Sequence, residues 1–419
     1  MYHEAETDRA PQPDRHLRKI ARSARTLHKR RIDFQVSAGK PFLGSLHLNC
    51  EAVSGTAITV DGRKLENYAS CSYLGLEQRA ELFQASVEAM RKFGTQFSSS
   101  KTFISVSLFE DLQSLYSQIF ETEHVVLAST TTLAHQAAVP IIVDDCDLVV
   151  VDKKAHNSIH VATDLLLKRN VEKLEVTSND MVELEEILEK NRSRKGKVWY
   201  FGDGIYSMSG APADLESLEN LRNKYENLHL YIDDAHGMTW AGKNGCGFVL
   251  SRLKDRKRTI VAVSHSKAFG SAGGSLIFTD PEEAFNVRHL GAPLIFSVAT
   301  PPAVLGASLA SAQLHLSGEI GKLQLRLSEN IEFLNHRMTA NGIRLDSVAR
   351  TPIFFVRVGS NKDTTAAHTR LMEKGFYTNP SIFPAVARGE GGIRFTVTAQ
   401  HSKEGIAKFS NAMKECLVP

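Results

Sequence analysis

The 419-residue chain is 42% hydrophobic and 23% charged, an ordinary globular balance with enough apolar residues for a large core and more than one domain. A net charge of +3 is too small to point to nucleic acid, and no apolar run approaches the length of an integral membrane segment. The five cysteines, Cys50, Cys71, Cys146, Cys246 and Cys416, lack paired spacing, which speaks for reduced thiols and a cytoplasmic setting over a disulfide framework.

The first fourteen residues are polar, include Pro11 and Pro13, and lack the apolar stretch of a secretory signal, so they read as disordered. Residues 15–31 are rich in Lys and Arg, with Leu17, Ile20, Ala21, Ala24 and Leu27 at helical spacing. This predicts a basic amphipathic helix, either a contact for an anionic surface or, as we favour, an arm packed on its own protein. Short strands with an Asp61-Gly62 turn follow over 52–76, then a helix over 78–93. Apolar strands are expected at 125–128, 148–151, 198–201 and 228–232 and in the run ending near Ser264, with helices over about 131–139 and 179–191. Such alternation, continuing to Phe278, predicts an α/β fold with a mostly parallel sheet covered by helices on both faces. Beyond Pro301-Pro302 a long helix over 303–341, strands at 353–358 and 393–397 and a helix near 366–374 predict a smaller α+β domain. The expected division is an arm over 1–50, a large domain over 51–300 and a small domain over 301–419.

Chemistry concentrates at strand ends. Lys267 follows a β-branched run and precedes Gly270, Gly273 and Gly274. A buried lysine there is desolvated and nucleophilic toward an aldehyde, as Schiff-base chemistry needs, whereas a lysine after a strand is otherwise a solvated surface residue. The strand 228–232 leads into Asp233-Asp234-Ala235-His236-Gly237, placing carboxylate and imidazole at the sheet edge where open α/β proteins bind ligands. Pyridoxal 5'-phosphate (PLP) needs an anionic partner for its ring nitrogen and a donor near its phenolic oxygen; Asp233 and His236 offer both. A helicase acid box is the competing pattern, but it requires a phosphate loop of the form G-x-x-x-x-G-K-[ST], which the chain lacks, and a charged loop after a strand is the plainer alternative. Thr131 and Thr132, after Ser129-Thr130, stand at a helix start, either as an anion site or as ordinary capping. His156 and His160, four apart, suggest a metal pair, though no third ligand is evident. Arg394 alternates onto one face of its strand, where its fork suits a carboxylate, although strand arginines are commonly surface residues.

Ser264-x-x-Lys267 with its glycines, Asp233 to Gly237, and Asp203-Gly204-Ile205-Tyr206-Ser207-Met208-Ser209-Gly210, in that collinear arrangement from about Asn67 onward, resemble the α-oxoamine synthases among fold-type I PLP enzymes. The resemblance implies a large PLP-binding domain and a homodimer with shared active sites. It implies that Lys267 carries the cofactor, Thr131, Thr132 and Ser264 hold its phosphate, His156 stacks on its ring, Ser207 donates to its phenolic oxygen and Arg394 binds the substrate carboxylate; His160 is then structural. The chain departs from the family pattern in Gly94 to Thr102, where serines and Lys101 replace a glycine-rich, arginine-containing stretch; at Phe109, where a histidine is frequent; and at Val298, where threonine is common. The implied reaction joins an amino acid to an acyl thioester, on coenzyme A or a carrier protein, with loss of carbon dioxide, giving an α-amino ketone. Transamination, aldol cleavage and a non-catalytic partner subunit remain as alternatives.

Overall fold

The computed structural model describes residues 48–417 except 349 and 384; the polar segment 1–14 and the basic helix expected over 15–31 lie outside them. Three strands open the described chain, β1 (Cys50–Ser54), β2 (Ala57–Val60) and β3 (Arg63–Asn67), joined as antiparallel neighbours. The large sheet follows: β4 (Val125–Ala128), β5 (Leu148–Asp152), β6 (Glu172–Val176), β7 (Val198–Asp203), β8 (Leu228–Asp233), β9 (Thr259–Ser264) and β10 (Gly274–Ile277). Its order is β4-β10-β9-β8-β7-β5-β6, parallel from β9 through β6, with β10 antiparallel to both β4 and β9.

Alternation along these strands builds two cores. Leu148 and Val150, Val198 and Tyr200, and Leu228, Leu230 and Ile232 face one side. Val149 and Val151, Trp199 and Phe201, Tyr231, Ile260 and Ala262 face the other. Full burial of each such side chain contributes roughly 1.5–3 kcal/mol, which is why the strands read as continuous apolar runs and not as alternating ones. The helix Thr131–Ile142 packs Ala134 and Ala138 into the second core. Asp233 and Ser264 continue the alternation of Tyr231 and of Ala262, so both are aimed toward that helix's side as their strands end.

The helix expected over 303–341 is two helices, Pro302–Leu316 and Glu319–Ala340. Gly318, at φ 86°, adopts the left-handed conformation that ends a helix, and the chain turns there. Leu305 and Ala312 lie in the first core of the large sheet, whereas Ile320, Leu327 and Ile331 belong to a third core. That core is covered by a three-stranded sheet of β11 (Ile353–Gly359), β13 (Asn379–Ser381) and β14 (Gly391–Thr396), ordered β11-β14-β13, and by the helices Asn361–Glu373 and Lys403–Leu417. β12 (Phe376–Tyr377) pairs in parallel with β3. The early strands are thus hydrogen-bonded to the C-terminal part, and Tyr68 is stacked against His401 and Phe409, ring centroids 4.2 and 3.8 Å away.

Candidate active site

The carboxyl ends of β4, β5, β7, β8 and β9 open on one edge of the large sheet, and a cavity of about 160 Å³ lies there. Lys267, Asp233, His236, His156, Thr131, Thr132 and Ser264, each singled out in the sequence, line it. Thr130, Ser158, Asp203 and Ser266 complete its polar wall. Arg394 and Ser207 lie outside the lining.

The helix Thr131–Ile142 begins at the cavity. Thr130 is its cap, accepting from the Leu133 N–H at 3.1 Å, which leaves Thr131 and Thr132 as the first two helical residues. The N–H groups of Thr131 and Thr132, at the first two helical positions, have no intrahelical acceptor and carry the positive end of the helix dipole. Gly274 of β10 backs this turn so closely that a Cβ there would come within 2.7 Å of the Thr131 nitrogen and Oγ1. Ser264, buried, accepts from the Ser266 N–H at 3.3 Å, and the Thr131 hydroxyl donates to the neighbouring Val263 carbonyl at 3.3 Å.

Asp233 is buried. Burial pushes its carboxyl up, but the His135 ring N–H, the Lys267 charge and the Ala235 amide outweigh burial and hold it below the usual carboxylate range. His135 Nε2 lies 3.0 Å from Oδ2, and the Ala235 N–H donates to Oδ1 at 2.9 Å. Asp203, its register neighbour on β7, is shifted the other way by burial and by the charge of Asp233, although it accepts from the His156 N–H at 2.9 Å. Two adjacent carboxyl groups are therefore shifted in opposite directions. His156 caps the helix Asn157–Asp164, bonds through Nδ1 to the Ser158 hydroxyl at 2.6 Å and leaves its ring exposed to the cavity. Partial burial, with the Lys267 charge, lowers its ionisation below that of a free imidazole.

His236 is held neutral by burial, reinforced by the charges of Lys267 and Arg394. Its Nδ1 lies 2.7 Å from the Tyr73 hydroxyl. Tyr73 also interacts with Arg394, so the guanidinium reaches the cavity wall through one phenol. Arg394 is buried on β14; its Nε donates to the Ser207 carbonyl at 2.7 Å, and Nη2 approaches the Cys71 sulfur at 3.9 Å. Among the described residues no carboxylate pairs with it. Ser207 thus meets Arg394 through its backbone. His135 and Tyr73 escaped the sequence reading: a histidine in an apolar helix resembles packing, and Tyr73 is 163 residues from its partner.

The donor set fits PLP: an amine for the aldehyde, a buried carboxylate for the ring nitrogen, an exposed imidazole face, and a hydroxyl-rich helix start for the phosphate. The family profile "Aminotransferase class I and II" matches residues 63–413. The 8-amino-7-oxononanoate synthase of Treponema denticola is 30% identical over 87% of this chain and 90% of its own length. A serine palmitoyltransferase of Bacteriovorax stolpii is 29% identical, covering 85% of this chain and 83% of that protein. Among solved structures, a serine palmitoyltransferase from S. paucimobilis with bound PLP and myriocin superposes with a TM-score of 0.82 at 21% identity, covering 95% of this chain and 98% of that one. The 8-amino-7-oxononanoate synthase of Francisella tularensis gives 0.72 at 20%, covering 84% and 97%. The chain belongs to the aminotransferase class I and II family, among its PLP-dependent α-oxoamine synthases.

Proposed function

We propose that the protein condenses an amino acid with an acyl thioester, releasing carbon dioxide and a thiol and giving an α-amino ketone. The observation that carries this reading beyond cofactor binding is Arg394: a buried guanidinium without a carboxylate partner among the described residues, linked through Tyr73 to His236 on the cavity wall. A buried cation is costly unless paired, and the amino acid's carboxylate would be its counter-ion.

When bound, PLP supplies the electron sink that stabilises negative charge at the amino acid's Cα. Lys267 holds the cofactor and moves the proton at Cα. Asp233 keeps the ring nitrogen protonated, His156 presents its exposed ring as a stacking face, and Thr131, Thr132 and Ser264 meet the phosphate. With the Tyr73 hydroxyl donating to Nδ1, His236 carries its proton on Nε2, a donor for the phenolic oxygen and the incoming thioester carbonyl. Ser207 anchors Arg394 through its carbonyl. The new bond joins Cα to the acyl carbon; the C–S bond breaks, the sulfur leaves as thiol, and the substrate carboxyl leaves as carbon dioxide, its place at Cα taken by a proton.

A homodimer in a cytoplasmic setting is part of the proposal. Phe103 and Ile104, on one segment, and Phe296 and Val298, on another, are large apolar side chains exposed in the single chain. The Ser100 hydroxyl donates to the Ile295 carbonyl between these segments, and the Ser129 hydroxyl donates to the Val298 carbonyl beside the phosphate turn. A second copy covering this face would complete the site from its rim, with Ser297 or Thr300 supplying a hydroxyl where Val298 has none. The test is a panel of amino acids against acyl thioesters of coenzyme A and of a carrier protein, scored for thiol release and product mass. Amino transfer to a keto acid without thiol release would overturn the condensation.

A further inference from the structure

Tyr231 and Asp233 alternate onto the same face of β8, and His135, from the helix packed on that face, bonds to both. The ring of His135 is fully enclosed and touches no ligand space. Burial holds the Tyr231 phenol protonated, well above the ordinary tyrosine value. Its hydroxyl lies 2.8 Å from His135 Nδ1, and with that hydroxyl as the donor Nδ1 accepts and the ring's N–H sits on Nε2. Nε2–H then donates to Asp233 Oδ2 at 3.0 Å, while the Ala235 amide holds Oδ1. Tyrosine, histidine and aspartate form one directed chain ending at the cavity floor, in a dry setting where such bonds strengthen one another.

We propose that His135, oriented by Tyr231, is a positioning residue that sets how firmly Asp233 holds the proton on the ring nitrogen of bound PLP. A carboxylate gripped at both oxygens cannot rotate away from the ring, and a donor bonded to it favours its charged form. The proposal rests on the reading of Asp233 given above. It goes beyond that reading in assigning a role to two residues that touch neither cofactor nor substrate.

The test separates positioning from packing by using two ligands, PLP and 1-deazapyridoxal phosphate, which has carbon in place of the ring nitrogen. Binding of each to the apoprotein is followed by quenching of Trp199 and Trp240 fluorescence. The wild type prefers PLP. His135→Leu lowers PLP affinity by on the order of 10- to 100-fold, the loss of one hydrogen bond to a charged group, and leaves the deaza analogue within about twofold. His135→Gln, which restores an amide N–H, recovers part of the preference, and Tyr231→Phe, which frees the tautomer, falls between. Equal losses for both ligands, or a preference unchanged in every variant, would show that His135 only fills space and overturns the proposal. Should His135→Leu fail to fold, the same ratio in the Gln and Phe variants decides. A wild type that binds both ligands equally would instead remove Asp233 from the ring nitrogen, overturning the reading beneath the proposal as well.

Discussion

In the proposed reaction Asp233 and Arg394 have separate tasks, and single substitutions separate them. Asp233→Asn keeps the shape of the side chain and still accepts from Ala235, but an amide cannot balance a protonated ring nitrogen. The variant should bind PLP and lose exchange of a substrate's Cα proton, read by proton NMR in deuterated water; exchange at the wild-type rate would refute the assignment. Arg394→Ala should leave the cofactor's visible band at roughly 410–430 nm in place. Loss of a charge-assisted contact of about 2–4 kcal/mol should weaken the amino acid about 30- to 1,000-fold, with thioester affinity little changed. Titrating amino acid against the visible spectrum of both proteins checks this, and equal affinities would exclude Arg394 from the site. Lys267, Asp233 and His236 were legible because each follows an apolar run at a strand end, where side chains emerge onto the ligand edge whatever the rest of the chain does. His135 was not, because its meaning depends on which strand face its helix covers, a tertiary fact.

At the scale of elements, the junction of β10 with the helix Thr131–Ile142 offers a clean test. Gly274→Ala would press a methyl against the Thr131 backbone and displace the two amides at the helix start. We expect PLP affinity to fall by about tenfold or more while thermal unfolding of the apoprotein shifts by only a few degrees, as an effect on a phosphate cradle requires. Unchanged affinity would place the phosphate elsewhere. The turn after β8 carries a second test. Asp234 backs into a socket formed by Gly204, Gly237 and Gly247, accepts from the Val249 N–H at 2.9 Å, and has its Oδ1 unpartnered. Burial raises its pKa well above the ordinary carboxylate value. A raised folded-state pKa means that the folded protein binds more protons than the unfolded one. Stability from this group is therefore present below the unfolded value and is lost as pH rises toward the folded one. Asp234→Asn should flatten that slope, so its melting temperature should gain on the wild type by about 1–3 °C between acid and neutral pH. Parallel pH profiles would refute the buried proton. Among the elements, strands buried on both faces were easy to read, whereas the break at Gly318 was hidden because the apolar residues before it are spread around the helix and give no change of period.

For the molecule as a whole, the exposed apolar segments predict assembly. Phe296→Asp should shift sedimentation toward the monomer and lower thiol release, because a charge at the centre of an apolar contact is desolvated without a partner. A wild type that sediments as a monomer would remove the shared site. The sheet, its helices and the smaller C-terminal unit were foreseeable from the alternation of runs. The attachment of β1–β3 to β12 was not, since nothing local in a short strand names a partner some three hundred residues away. That attachment has a consequence in time. β3 leaves the ribosome early and must wait for Phe376–Tyr377 to be synthesised, an interval of roughly 15–60 s at about 5–20 residues per second. The large sheet can form late in that interval, once β10 has emerged, but the Tyr68 ring, destined to lie between His401 and Phe409, still has neither neighbour. The edge strands of a nascent chain are then open to the wrong partner, and the cell's chance to intervene falls between the closing of one lobe and the emergence of the last helix.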